Sequence, residues 1–165
     1  MTKTIVFKTL VDFLYMLHVV GLISILFTVP LGIININQAD LSVSDWTIWH
    51  WSIVVLTFIT YTVFLRGLYF LRKTARFLLS NKYFSNHIID NLKQSGYHFL
   101  YTGLLSVGVI LIVFVSKLYQ GTFELIFDDN LLIPLFISII GLFFIIQSHS
   151  LLLAKDFKEE NELTI

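Results

Sequence analysis

Histidine and other polar side chains interrupt the long apolar stretches of this 165-residue chain. If those stretches lie in hydrocarbon, the polar groups within them are candidates for a binding site, because an ionisable group is costly to bury there. One set, which we call the polar belt, consists of His18, His98, His149 and Gln147, with Asp12 and Arg66 at its rim. The polar belt could line a site for a lipid or small molecule, or its members could bond separately to neighbouring groups and to water.

His18 and His149 could also act together on a cofactor, since imidazole is a common ligand of haem iron. No second matched histidine pair accompanies them. The chain has no cysteine, which excludes disulfides, thiolate metal ligands and cysteine nucleophiles. Spacings typical of metalloproteases, zinc sites, phosphate-binding loops and nucleophile elbows are also absent from the sequence. We therefore expect no cofactor, no metal site, no catalytic residue and a protein that is not an enzyme.

A second set of polar residues is charged and lies outside the apolar stretches. Six basic residues fall between residues 66 and 96, and a largely acidic tail follows residue 154. Basic side chains beside an apolar segment attract anionic lipid headgroups, and either segment could bind a protein; equally, the basic segment could be a connector that only sets the topology. The candidate residues for binding a partner or a headgroup are Arg66, Arg72, Lys73, Arg76, Lys82, Glu159, Glu160 and Glu162.

Four long stretches without charged residues must position both sets. The chain is 56% hydrophobic and only 13% charged, about half the charged fraction of a soluble domain. Each stretch exceeds the roughly 20 residues that a helix needs to cross a bilayer, and hydrocarbon favours helices because they satisfy their own backbone hydrogen bonds. We predict one integral-membrane domain over residues 1–165, an all-α bundle with spans near 10–34, 47–71, 97–118 and 131–154.

The distribution of basic residues predicts the orientation of these spans. Ten of the eleven Lys and Arg residues lie in the N-terminal arm, the central segment 72–96 with its adjoining Arg66, and the tail 155–165. Positively charged segments stay in the cytoplasm, so both termini and the central segment are expected there. Trp46, Trp49 and Trp51 cluster at the other end of the second span, as an interfacial aromatic anchor would.

The central segment is expected to contain a short amphipathic helix of its own. We expect the second helix to continue toward Leu79 and to break around Asn81 and Lys82. Ser85 can cap a new helix and Gly96 can end it. Its apolar face would carry Ile88, Ile89 and Leu92.

Other residues predict details of the spans. Pro134 is placed in the first turn of the fourth helix, where a missing amide costs little, and that helix is expected to continue to about Glu160. Small residues four apart let helices approach closely, which predicts packing faces on the first and third spans, within the bundle or, as a lesser option, in a homo-oligomer. These small residues are Ser24, Thr28, Gly32, Thr102 and Ser106.

The tail from Lys158 to Ile165, the segment FLLSNKYFSNHIIDNLKQSG from Phe77 to Gly96 and the four spans together resemble domain-of-unknown-function family 2975, a group of small bacterial integral-membrane proteins. The resemblance covers essentially the whole chain, although Ala154 stands where a Gly is expected and Phe157 where Leu is usual. It implies a bacterial inner membrane and a genetic association with small helix-turn-helix regulators. It supplies no activity and no catalytic residue.

The sequence thus favours a non-enzymatic, multi-pass signalling or regulatory protein. Its expected partners are membrane lipids and a cytosolic protein such as a transcription regulator, with no direct binding of nucleic acid. One alternative is a transporter, or a protein that binds a small molecule, lipid or haem through the polar belt. Another is a subunit of a larger membrane complex.

Overall fold

Four long helices make up the part of the chain described by the computed structural model, which is residues 2–28, 48–79, 84–119 and 129–163. The helices are α1 (Thr2–Thr28), α2 (Ile48–Leu78), α3 (Asn86–Tyr119) and α4 (Asp129–Leu163), and these described residues contain no strand. All four are long and apolar enough to cross a membrane. The predicted all-α four-helix bundle is confirmed, and its composition indicates a multi-pass membrane protein.

The helices pack in chain order and run antiparallel to one another. α1 contacts α2, α2 contacts α3 and α3 contacts α4. Within the described ranges, no Cα atom of α1 lies within 8 Å of a Cα atom of α3 or α4. Both ends of the described chain therefore lie at one end of the bundle, which we call the charged end.

The most buried packing of the bundle lies near the charged end, between α2 and α3. Leu68 and Ile88 are at most 2% exposed there. Ser95 is fully buried, and its hydroxyl donates a 2.9 Å hydrogen bond to the carbonyl oxygen of Gly67. Together with Ser95, the buried side chains keep mainly to intervals of three and four residues, the spacing that lets two helices interdigitate at a shallow angle. They are Leu65, Leu68, Leu71 and Ala75 on α2 and Ile88, Ile89, Leu92 and Phe99 on α3.

Glycines set the distance between α3 and α4. A Cβ atom added to Gly103 would lie 2.5 Å from the carbonyl oxygen of Pro134, and one added to Gly96 would lie 2.7 Å from that of Gly141. Real Cβ atoms do not approach this closely. The two backbones are therefore in direct contact, an arrangement that small residues permit between membrane helices.

The separate amphipathic helix predicted for the central segment is wrong. Ser85 does cap a helix, since its side-chain oxygen accepts a 3.4 Å hydrogen bond from the Ile88 amide. That helix is α3 itself, which continues through Gly96 to Tyr119. Gly96 does not end it, because its missing side chain is needed for contact with α4. α2 ends next to Leu79 as expected, whereas Asn81 and Lys82 lie outside the described residues.

The helix ends differ from the predicted spans mainly at the charged end. α1 begins at Thr2 and α4 continues to Leu163, beyond the expected end near Glu160. Helix can extend past the apolar stretch because charged residues four apart pair along it. α4 also begins two residues early, so Pro134 lies in its second turn and not, as predicted, in the first.

The predicted small-residue faces have different outcomes. On α3, Thr102 is buried and its hydroxyl donates to the His98 carbonyl oxygen at 2.7 Å, as expected of a packing face. On α1, Ser24 is exposed and its hydroxyl donates to the carbonyl oxygen of Val20 within the same helix. Ser24 therefore does not pack inside the bundle, because α1 lies close only to α2 and turns this side away from it.

Candidate functional site

An ion-pair cluster joins α1 to α2 at the charged end. The Asp12 carboxylate accepts a 2.5 Å hydrogen bond from Arg72 Nε and lies 3.0 Å from Lys8 Nζ. The side chains of Asp12 and Arg72 are only 21% and 24% exposed. The Arg72 guanidinium also lies 5.0 Å from the ring centre of Tyr15. Arg72, predicted to bind a partner or a headgroup, is thus already bound within the chain.

Lys73 also has intramolecular contacts. Its Nζ atom lies 4.8 Å from the ring centre of Tyr69 and 6.0 Å from that of Phe70, within the range of cation–π attraction. Arg76 is exposed, and Lys82 lies outside the described residues. Arg66 and Arg76 are therefore the basic residues of the predicted set that the structure leaves on the surface.

His18 packs between α1 and α2. Its Nδ1 lies 2.8 Å from the carbonyl oxygen of Leu14, to which it must donate because a carbonyl only accepts. The imidazole lies against two rings of α2, with ring-centre distances of 5.1 Å to Phe64 and 6.0 Å to Tyr61. The Tyr61 hydroxyl in turn donates a 3.1 Å hydrogen bond to the backbone carbonyl of His18. These contacts give His18 a role in holding the two helices together.

His98 lies on the other side of α2, beside Arg66. Its Nδ1 donates to the carbonyl oxygen of Gln94 at 2.7 Å, and its ring lies 5.3 Å from that of Phe70. His98 and Arg66 line an open groove of about 440 Å³ between α2 and α3, which we call the Arg66 groove. Its lining residues are Val63, Arg66, His98, Tyr101, Leu104 and Leu105.

The remaining members of the polar belt, Gln147 and His149, are exposed on α4. The His18 ring packs against α2, and no Cα atom of α1 lies within 8 Å of one of α4, so His18 and His149 do not form one site. Across the described ranges, no group of three His, Asp or Glu residues is placed to hold a metal ion. The polar belt therefore separates into a packing residue, a groove residue and two surface residues.

The tail of α4 extends beyond its neighbours. The contacts of Gly96 with Gly141 and of Gly103 with Ser138 fix the antiparallel register of α3 and α4. At an equal rise per residue, the first residue of α3, Asn86, lies opposite about residue 153. Residues 155–163, which we call the α4 tail, thus continue for about 13 Å past the start of α3.

Charged residues cover one side of the α4 tail. Lys155 Nζ lies 3.2 Å from Glu159, and Lys158 Nζ lies 3.6 Å from Glu162, both pairs being four residues apart. Phe157 is 63% exposed and lies on the side of the helix away from these two pairs. With Leu153, which is exposed one turn earlier, Phe157 forms an apolar pair beside the charged side, and such a pair is a candidate contact for another molecule.

A family model described as a protein of unknown function, DUF2975, matches residues 34–165. The chain belongs to the DUF2975 family. The match contains α2, α3 and α4 and leaves out α1. No curated protein and no solved structure matches the chain.

In this DUF2975 protein, two features of the candidate sites were not predicted from the sequence. The pairing of Asp12 with Arg72 joins residues that are 60 positions apart. The sequence does contain a feature from which this pair could be predicted, because the two opposite charges lie near the same end of consecutive antiparallel spans. The second feature is the exposed Phe157, for which the sequence signal is a large aromatic residue within a charged segment.

Proposed function

We propose that this DUF2975 protein is a non-enzymatic protein of the bacterial inner membrane, whose charged end binds a cytosolic regulatory protein. The concentration of basic residues at the charged end supports a cytoplasmic location for that end. The observation that carries the proposal is the α4 tail, a charged helix that continues beyond α3 with Phe157 exposed.

The α4 tail has the features of a helix that docks in a groove. Leu153 and Phe157 are four residues apart, so they lie on one side of the helix, and both are exposed. The α4 tail carries four acidic residues, Asp156, Glu159, Glu160 and Glu162, which outnumber its basic residues Lys155 and Lys158. A complementary partner would offer an apolar pocket for the aromatic ring with basic residues around it.

A small helix-turn-helix transcription regulator fits this description. Proteins that bind DNA carry a basic surface, which would attract the acidic α4 tail. Binding of the tail to that surface would hold the regulator at the membrane and compete with DNA. The same class of partner is implied by the resemblance to the family.

The proposal is tested by affinity purification of the tagged full-length protein from gently solubilised, crosslinked bacterial membranes. Phe157→Ala is compared with Phe136→Ala, because both residues are exposed phenylalanines on α4 and only Phe157 lies in the tail. The expected result is a stoichiometric cytosolic protein that is retained by Phe136→Ala and reduced at least tenfold by Phe157→Ala.

A charge variant tests the electrostatic part of the interface. Replacing Glu159 and Glu162 by Gln leaves the α4 tail apolar face unchanged but removes two acidic groups. We expect weaker binding of the partner and a smaller loss of binding when salt is raised, since fewer charges contribute. Equal recovery of the partner by the wild type, the Phe157→Ala variant and this charge variant would contradict the proposal.

A further inference from the structure

We propose that the Arg66 groove is a binding site for an anionic phospholipid, with Arg66 at the phosphate and the leucines along an acyl chain. This site is separate from the α4 tail and does not depend on the proposed partner. It lies on the surface of α2 and α3, where lipid has direct access.

Arg66 lies at the boundary of the apolar stretch. Residues 46–65 contain no charged side chain, and Arg66 is the first one toward the charged end of α2. Arg66 is exposed, and it makes no ion pair within the described ranges. A guanidinium at the edge of hydrocarbon needs an anionic partner, and its planar donors fit two phosphate oxygens at once.

The groove is polar at one end and apolar at the other. Arg66 and His98 lie level with one another on antiparallel helices, and Tyr101 is three residues further along α3 toward the bilayer centre. Val63, Leu104 and Leu105 continue the groove toward the bilayer centre. A phospholipid also places its phosphate at the interface and its acyl chains toward the bilayer centre. The polar end of the groove therefore lies at the depth of the phosphate, and the apolar end at the depth of the chains.

The charges around the groove favour an anionic over a zwitterionic headgroup. None of its six lining residues is acidic, so the ammonium group of a choline or ethanolamine lipid would find no carboxylate there. Arg72 is paired with Asp12, but on the neighbouring turns Lys73, Arg76 and Lys93 still outnumber the one acidic residue, Asp90. A headgroup with a net negative charge, such as phosphatidylglycerol, is therefore the preferred occupant.

Native mass spectrometry of the full-length protein tests the site. The protein is equilibrated in detergent with equal amounts of phosphatidylglycerol and phosphatidylcholine of identical chains, and the lipid retained is measured. Arg66→Gln is compared with Arg76→Gln, an exposed basic residue outside the groove. We expect the wild type and Arg76→Gln to retain phosphatidylglycerol in preference to phosphatidylcholine. Arg66→Gln should retain about fivefold less phosphatidylglycerol, which is the factor expected for the loss of one basic side chain beside an anionic headgroup.

A second variant tests the apolar end independently of charge. Leu104 is 58% exposed, so Leu104→Trp can fill the groove without disturbing the helix interface. It should lower retention of phosphatidylglycerol while leaving the thermal melting of the helices unchanged. Equal retention by Arg66→Gln and Arg76→Gln, or equal retention of the two lipids by the wild type, would overturn the proposal. Phe157→Ala should retain as much phosphatidylglycerol as the wild type. Failure of the proposed partner binding can therefore be distinguished from failure of the proposed lipid site.

Discussion

Gly96 and Gly141 bring the backbones of α3 and α4 together. A Cβ atom on Gly141 would lie 2.7 Å from the carbonyl oxygen of Gly96 and 2.5 Å from the amide nitrogen of Leu100. Both neighbours are backbone atoms, which cannot move aside by changing a rotamer. The separation of the two helices is therefore set by the absence of side chains at these positions.

Gly141→Ala should destabilise the bundle by about 1 to 3 kcal/mol, the usual cost of overpacking a close interface. The loss is measured as the free energy of unfolding by a denaturing detergent, followed by circular dichroism. Gly108→Ala is the matched control, because nothing lies within 4 Å of its added Cβ atom. Gly108→Ala should be neutral or slightly stabilising, since Ala favours helix over Gly. Equal stability of the two variants would show that α3 and α4 are further apart than described.

Asp12→Asn should weaken the attachment of α1 to α2, because it leaves Arg72 without a carboxylate. Charge-assisted hydrogen bonds of this kind contribute about 1 to 3 kcal/mol, which is the expected loss in unfolding free energy. Glu159→Gln is the control, since its pair with Lys155 lies on the surface and should contribute less than about 1 kcal/mol.

A double-mutant cycle checks the Asp12 assignment. Arg72→Gln alone should cost about as much as Asp12→Asn, and the two changes together should cost less than the sum of the single losses. Strictly additive losses would mean that the two side chains do not interact in the membrane.

The stability cost of replacing Gly21 should depend on the residue at position 61. A Cβ atom on Gly21 would lie 2.9 Å from the Tyr61 hydroxyl oxygen, which bonds to the His18 carbonyl. Tyr61→Phe should lose about 0.5 to 1.5 kcal/mol with that hydrogen bond. Gly21→Ala should be less destabilising in the Tyr61→Phe protein than in the wild type, because the contacting oxygen is gone. Thermal melts of the four proteins in one detergent measure this coupling, and the same cost in both backgrounds would count against the contact.

The proposed orientation is tested with single cysteines, which the native chain lacks. Lys3→Cys and Lys158→Cys lie at the charged end, whereas Lys117→Cys lies near the opposite end of α3. A membrane-impermeant maleimide applied to spheroplasts should label only Lys117→Cys, and all three should react after lysis. Labelling of Lys158→Cys before lysis would reverse the proposed topology.

Much of the fold could be predicted from the sequence, because hydrocarbon imposes a simple requirement on length and polarity. Four uncharged stretches gave four helices in the expected places. The ends of the helices were harder to predict, because the length of helix outside the apolar stretch depends on capping and on charge pairs such as Lys155 with Glu159. Gly96 illustrates the difficulty: glycine often ends a helix, yet here contact with another helix decides its role.

The position of a residue in the sequence predicts its depth in a membrane more readily than the direction in which its side chain points from the helix. His18, His98 and His149 each lie near the charged end of a predicted span, which indicates a similar depth, but nothing in their spacing fixes the angle at which each helix faces its neighbours. The structure directs His18 toward Tyr61 and Phe64, and His98 toward the Arg66 groove. That angle results from long-range packing, which the order of residues within one span does not reveal.

The ion pair between α1 and α2 has a consequence for biosynthesis. Asp12 leaves the ribosome 60 residues ahead of Arg72. At about 5 to 20 residues per second, it waits about 3 to 12 seconds for that partner. Lys8, one turn away at 3.0 Å, can neutralise the carboxylate during this interval. The nascent first helix thus carries its own counter-ion before the second helix arrives, and it keeps that contact in the finished fold.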